Sequence, residues 1–543
     1  MATMMGDNRF NDKVSDMSPR AHEKEVAETK EYLKKFLAID VSAMTEQEKL
    51  NRDLMVETLR HSLESERFKM EEMPLAQNSG VHLMYPQLAA ITNFNSVKDY
   101  DDYLARLRKI PTVFEQTIVW MKKGMADGLM PPKFVLEKVV KQCENFTQYA
   151  ALEGAFANSL QRMPASISEK EKQRISAEMK EVLQTKVLPA YQQLATFVKT
   201  EYLPKGRTTD GIWSLPDGQA RYAFMVKEAT TTDLTPAQIH EIGVQEVARI
   251  EKQMQQLANK LGYADLKKMQ AAMQNDPDLF PKSRQEIVDT YSKYTNETYP
   301  KLTKLFGHMP KSKVEVRAIE EYREKGGPGA QYFPGAPDGS RPGTVWVNTG
   351  EFATRSKSHM ESTALHEGVP GHHFQIAIAQ ELPELPEYRK NAFYTAYIEG
   401  WALYAESLGL EIGSFQDPYS YYGHLQAEMM RAIRLVVDTG LHDKKWTRQQ
   451  VVDYFHAHSS LDEVEVQSET DRYIVGPAQA LAYKVGQLKI KELRQFASTE
   501  LGPKFDIRAF HDVVLGAGAL PLDVLDKQVK TWVAKQKTLA MAQ

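Results

Sequence analysis

The sequence predicts a mainly α-helical protein with a small antiparallel β element, and three observations predict it. Apolar residues recur at three- and four-residue spacing through most of the chain. Pro and Gly mark the breaks between those stretches. Alternation with a period of two marks two short stretches, Lys313–Glu320 and Thr344–Asn348.

In chain order, Phe114–Lys122, Phe134–Glu144 and Ile175–Val198 carry helical stripes, read as the core faces of a scaffold. Residues 201–235 change character, with Lys-Gly, Pro-Asp-Gly and a run of threonines. Helix resumes at Thr235-Pro236 and runs to about Leu261. Thr is a good N-cap there, and Pro is tolerated in a first turn because its missing N–H has no helical partner. KVEVRAIE (313–320) and TVWVN (344–348) are expected to pair antiparallel across the Gly/Pro-rich loop Gly326–Gly343. From Ser358 to about residue 540 the pattern is helical again. The expected division is a helical scaffold at 1–200, a helical and β-hairpin region lining a cleft at 201–350, and a helical region carrying the chemistry at 351–543. All three are read as one continuous fold.

Composition narrows the function classes. With 543 residues, 42% hydrophobic and 26% charged, the chain reads as a soluble globular protein. A net charge of −4 offers no electrostatic basis for nucleic acid or an anionic membrane as partner. No apolar run reaches the roughly 18–20 residues of a membrane helix, and the first residues hold no apolar core of an export signal. Cys143 is the one cysteine, which excludes an intramolecular disulfide and a cysteine-based cluster. A bound metal would need His and carboxylate ligands.

Residues that carry chemistry concentrate in His366-Glu367-Gly-Val-Pro-Gly-His372-His373. The familiar zinc helix H-E-x-x-H sets two imidazoles four residues apart on one face. Here Pro370 takes that fourth place. In an unbroken helix six residues turn through about 600°, so His366 and His372 would face apart; seven restore the face but add about 10 Å along the axis. One zinc at Zn–N distances of ~2 Å spans neither. A metal site therefore requires a broken helix, and Pro370-Gly371 supplies the means. The residue spacing leaves His372 and His373 both open as the second ligand. A third is expected from the helical stretch Tyr397–Glu406, where Glu399 and Glu406 lie seven apart on one face. Glu399 is the preferred ligand and Glu406 a salt-bridge partner or a support behind the ligands. A solitary histidine is more often surface or core, but three with a glutamate around Pro-Gly are unusual helix content.

Arg434, Asp438 and His442 stand at four-residue steps on one helical stripe. They read either as a structural Arg–Asp pair capped by the His, or as groups that orient a ligand imidazole or receive a substrate carboxylate. Arg472 carries the same two readings.

The segments ESTALHEGVPGHHFQ, YIEGWALYAE and RAIRLVVDTGLHDKKWT resemble a large bacterial family with an HExxPGHHxQ motif, catalogued as a domain of unknown function. TTTDLTPAQIHEIGVQEVARI, DGSRPGTVWVN, DRYIVGPAQALAYKVG and FHDVVLGAGALPLDVL extend the resemblance over nearly the whole chain. More distantly it is similar to the helical zinc peptidases of the angiotensin-converting-enzyme, oligopeptidase and thermostable-carboxypeptidase groups. These use HExGH and a glutamate on a later helix. The resemblance implies a large two-lobed metallopeptidase-like body with its β element near an active-site cleft. It implies one zinc ion, other divalent metals being possible, on His366, His372 and Glu399, with His373 and Glu406 as alternatives. Two residues inserted before His372 are the departure from the distant pattern. Glu367 would be the general base, and Tyr473 and Tyr483 the donors to a developing oxyanion. The Thr344–Asn348 strand would be an edge that pairs with extended substrate, with Asn348 and Tyr332 lining the cleft.

The implied activity is zinc-dependent hydrolysis of peptide bonds, in short peptides. Its rivals are an amidase or esterase acting on a non-peptide substrate, and a non-catalytic binding protein that retains the fold. Glu367, dispensable for holding a metal, argues against the last. In the family, ATMMGDNRFNDKVSDMSP usually follows an upstream stretch, often with an export signal. A periplasmic or secreted origin is therefore open beside a cytoplasmic one.

Overall fold

The stripes of the first 200 residues fold into helices that pack through those faces. Phe114–Lys122 lies within the helix Ile110–Asp127, and Phe134–Glu144 within Lys133–Thr147. Ile175–Val198 spans Glu169–Val182 and Leu188–Phe197, joined without a break by a π-helical turn at Leu183–Val187. Their apolar faces enclose a core around Leu136, Val139, Met179, Tyr191 and Leu194. Tyr191 meets Phe114 and Phe146 there at ring separations of 4.9 and 5.0 Å, within the range of favourable aromatic pairs. Cys143 sits in the same core, fully buried, and burial pushes its thiol pKa up to about 12.

The structure is a computed structural model describing all residues except 1–2, 4–7, 320–323, 325–327, 337–340, 384 and 542–543. The chain divides into two units, Met1–Gly218 and Gln219–Gln543. The second unit carries the metal-type motif. Its first long helix, α1 (Pro236–Lys260), starts as the sequence reading expects: Thr235 caps it, and Gln238 returns a hydrogen bond to the Thr235 N–H at 2.9 Å. The helix α2 (Arg284–Thr298) follows.

The β element differs from the expected ribbon. Among the described residues there are three strands, β1 (Val314–Ala318), β2 (Ala330–Phe333) and β3 (Gly343–Val347), in the order β1-β3-β2. β1 and β3 run parallel, Val314 opposite Gly343, while β2 runs antiparallel to β3 with Tyr332 opposite Val345. The Gly326–Gly343 segment is thus not only a loop, since it contains a strand that occupies the antiparallel place beside β3. Gly326, Gly327 and residues 337–340 of that segment, and Glu320 of the first strand stretch, lie outside the described residues. Val345 and Val347 pack with Ile287 and Tyr291 of α2 and with Met360 and Ala364.

Beyond the sheet the chain is helical: α3 (Met360–Glu367), α4 (His372–Glu381), α5 (Thr395–Ile412), α6 (Pro418–His442), α7 (Glu463–Val475) and α8 (Ala482–Leu501), with Leu522–Met541 last. α5 and α8 cross backbone to backbone. A Cβ on Gly400 would lie 2.4 Å from the Gly486 Cα, and one on Gly486 would lie 1.8 Å from the Ala396 carbonyl oxygen. Glu399 is therefore held by the tightest helix contact around it. No helix among the described residues is long and apolar enough to cross a membrane.

Candidate metal centre

The helix bearing His366 stops one residue later. Gly368 (φ −96°, ψ −113°) and Gly371 (φ −78°, ψ −128°) leave helical space on either side of Val369-Pro370, whose peptide bond is cis. α4 then restarts at His372. At Gly371 a Cβ would lie 1.9 Å from the His366 carbonyl oxygen and 2.4 Å from that of Leu365. Only a residue without a side chain lets the chain fold back across the end of α3. The Pro370 carbonyl, exposed by the break yet buried from water, accepts the Trp401 indole N–H at 2.8 Å. Trp401 stands on α5 two residues after Glu399, so the helix that completes the break also presents the third candidate ligand.

The fold-back brings the two imidazoles together, ring centroids 4.7 Å apart and planes at 84°. His366 Nε2 and His372 Nε2 each lie 3.6 Å from Glu399 Oε2. Ligand atoms of all three residues fall within 4.8 Å of one another. A 3.6 Å separation is long for a hydrogen bond. It is close to the about 3.3 Å between two atoms bound to one tetrahedral zinc at ~2.0–2.1 Å. Two imidazoles and a carboxylate are a donor set that zinc accepts, so these residues fit the ion the resemblance implies.

Electrostatics around the three are strongly coupled. Burial opposes charge on His366, but the Glu399 and Glu406 carboxylates outweigh it and lift its pKa to about 9. Burial would raise Glu399, yet His366 and His372 hold it well below the usual carboxylate range. Glu406 is likewise held low against burial by His366 and His424.

Glu406 faces the back of His366. The His366 Nδ1 lies 2.8 Å from Glu406 Oε1, and Glu406 Oε2 accepts the Ser362 hydroxyl at 2.6 Å. His424 closes the cluster, with Nδ1 3.3 Å from Ser362 Oγ and 3.6 Å from Glu406 Oε2. With Nδ1–H engaged by Glu406, Nε2 is the His366 nitrogen left to face a metal. His372 Nδ1, by contrast, is buried with no hydrogen-bond partner among the described residues.

His373 is turned away from this centre. Its Nδ1 lies 3.0 Å from the Tyr332 hydroxyl and its Nε2 3.2 Å from the Ser312 carbonyl oxygen. Both nitrogens are engaged, and burial lowers its pKa to about 4. Tyr332 is thus a clamp between β2 and α4, not a free cleft residue. Asn348 is also tied down, being buried with Nδ2 on the Glu324 carbonyl at 2.9 Å and Oδ1 accepting the Gly350 N–H at 3.0 Å. β3 is bonded on both sides, so the expected edge strand at Thr344–Asn348 is the central one; the edges are β1 and β2.

Glu367 ends α3 half-buried, with no hydrogen-bond or ion-pair partner among the described residues. The Arg434 stripe does not form an Arg–Asp pair. Arg434 donates from Nε to the Tyr473 hydroxyl at 2.9 Å and from Nη2 to Glu469 Oε2 at 2.9 Å. Asp438 accepts the Tyr222 hydroxyl at 2.6 Å and the Ala478 N–H at 3.0 Å, and burial raises its pKa to about 7. His442 Nε2 lies 3.0 Å from the Tyr473 carbonyl oxygen. Arg434 and its neighbours hold the chain from 469 to 478, while the ligand-type imidazole His366 is oriented by Glu406. Tyr473 is fully buried and gives its hydroxyl proton to Glu469. Tyr483 is half-buried, its hydroxyl 3.5 Å from Arg472 Nη2.

Ser362 and His424 are absent from the sequence reading. Ser362 stands four residues before His366 and so on its face of α3, a signal that was available; His424 arrives from another helix with none.

No curated protein matches the chain. Among solved structures it is similar to the “putative lipoprotein from Colwellia psychrerythraea”, at 32% identity and a TM-score of 0.93, over 98% of this chain and 95% of that one. It is also similar to a “putative lipoprotein of unknown function from Shewanella oneidensis”, at 18% identity and a TM-score of 0.72, over 97% and 95%; that likeness is one of fold alone. Residues 1–529 match the family described as “Bacterial protein of unknown function (DUF885)”, and the chain belongs to that family.

Proposed function

We propose that the protein is a zinc-dependent hydrolase that cleaves peptide bonds in short peptides. The reading is carried by the convergence of His366 Nε2, His372 Nε2 and Glu399 Oε2 beside an unengaged Glu367. Zinc held by those three residues supplies a Lewis acid for the scissile carbonyl and the attacking water. Glu367 has a carboxylate free to take the proton from that water and to deliver it to the leaving nitrogen. Glu406, braced by Ser362 and His424, keeps His366 in one orientation throughout. Of the two tyrosines Tyr483 is the freer to donate to the carbonyl oxygen as it gains charge, because the Tyr473 hydroxyl is committed to Glu469. An extended peptide suits β2, an edge strand of the sheet, tied to α4 through Tyr332 and His373.

The test combines metal analysis with hydrolysis of a short-peptide library by the full chain and by Glu367→Gln. The expected result is one zinc per chain and at least about a 100-fold lower rate in the variant. A protein that takes up no zinc from zinc-replete buffer, or a variant as fast as the unmodified chain, overturns the proposal.

A further inference from the structure

Three arginines gather on the facing parts of α6 and α7. Arg431 and Arg434 are one turn apart on α6, and Arg472 is on α7. Arg434 and Arg472 share a single carboxylate, Glu469, at 2.9 and 3.2 Å, and Tyr473 donates to the same group. Glu465 is the other carboxylate beside them, its pKa raised by burial and by Asp462 and Glu469. The three guanidinium groups thus face Glu469, Glu465 and, on the Arg431 side, Glu406, and burial works against ionisation of Glu465. Asp462, at the start of α7, is exposed.

The guanidinium groups have unused donors. Arg434 is buried, and its Nη1 has no hydrogen-bond partner among the described residues; neither has Arg431 Nε. An unpaired guanidinium N–H out of water is costly unless a ligand completes it. The Arg434 guanidinium lies 4.7 Å from the centre of the Tyr483 ring, which fixes its plane. The cluster opens to solvent at Arg472, whose side chain is 33% exposed, and at half-buried Tyr483. It lies along α6 from the metal centre, since Arg431 stands two turns after His424, which closes the cluster behind His366.

The geometry points to a carboxylate-binding subsite formed by Arg434 and Arg472 over the Tyr483 ring, which receives the free C-terminus of the peptide being cleaved. This rests on the hydrolase reading above and narrows it to peptides with an unblocked C-terminus. A planar guanidinium fork matches a carboxylate through paired N–H···O bonds, and Arg434 Nη1 beside Arg472 offers such a fork. Arg472 already donates to Gln479 Oε1 at 2.8 Å and, at 3.5 Å, to the Tyr483 hydroxyl, neutral partners that an anion displaces readily.

Two measurements test the subsite apart from the chemistry. The zinc-loaded Glu367→Gln protein is titrated calorimetrically with a set of short N-acetylated peptides, each as free acid and as C-terminal amide. The kcat/KM of the unmodified full chain is measured for the same pairs. The acids are expected to bind and react about 10- to 100-fold better, as charge-assisted hydrogen bonds to a guanidinium warrant. Arg472→Gln is expected to bring the acid-to-amide ratio towards one, mainly through KM. Equal binding of acids and amides, or of neither, overturns the subsite, and cleavage of both forms alike leaves the hydrolase standing. Acid-selective binding without cleavage of either form keeps the subsite and overturns the peptidase. A preference that returns in amides carrying Asp or Glu overturns the C-terminal assignment in favour of an acidic side chain. Circular dichroism checks the fold of the variant, and the comparison on the unmodified protein decides the matter even if that variant unfolds.

Discussion

Asp438 is fully buried and, among the described residues, has no cation beside it and the Tyr222 hydroxyl and the Ala478 N–H as its donors. Burial raises its pKa from 3.8 to about 7, so the folded chain binds this proton more tightly than the unfolded one. Its ionisation penalty is carried in full above pH 7 and relieved as pH falls from about 7 towards 4; below that both states are protonated. The slope contributed there is at most about 1.4 kcal/mol per pH unit. Asp438→Asn should remove that falling contribution, so that between pH 4 and 7 stability changes with pH more positively, by up to about 1.4 kcal/mol per pH unit, than in the unmodified chain, read from urea midpoints at several pH values. A variant with an unchanged slope would show that Asp438 is ionised in the fold. Residue-level reading of the sequence picked out His366, His372 and Glu399, which the fold brings together, because short-range spacing and a helix-breaking Pro-Gly are local signals. One of its two readings paired Arg434 with Asp438, on helical spacing alone. The actual partners, Glu469 and Tyr473, come from a different helix, and no spacing rule joins them.

Elements repeat the lesson. The capped start at Thr235 and the stripes at 114–122 and 134–144 are decided by neighbours within a few turns, and the structure has helices there. The strands at 313–320 and 344–348 were legible as strands but not in their direction. Ala330–Phe333 is too short to announce itself, and it takes the antiparallel side of β3. The α5–α8 crossing is a second feature set by distant partners, since Gly400 and Gly486 each look like ordinary weak points of a helix. A methyl group at Gly486 would meet the Ala396 carbonyl oxygen at 1.8 Å. Gly486→Ala should therefore push α5 and α8 apart and cost about 1–3 kcal/mol, with a concurrent loss of zinc affinity through Glu399. Chemical denaturation and chelator competition measure the two effects. Full stability with full zinc affinity would mean that the crossing does not hold Glu399 in place.

At the scale of the molecule, binding to the native state alone adds stability by mass action, about 2.7 kcal/mol at a hundredfold excess over Kd. Zinc is expected to slow amide hydrogen exchange in α3, α4 and α5 of the Gln219–Gln543 unit, which carry the three donors. Exchange in the Tyr191 core of the Met1–Gly218 unit should not change. Uniform protection of both units, or none, would count against a metal confined to these helices. The division after Gly218 had only a faint mark in the sequence, the change of composition near 201, because contact density rather than local pattern sets it. Cys143 gives this chain one practical property. Its single thiol is out of solvent and protonated at any ordinary pH. A cysteine introduced on the surface would then be the only one to take a maleimide dye or spin label, so probes can be attached at chosen points without first removing a native residue.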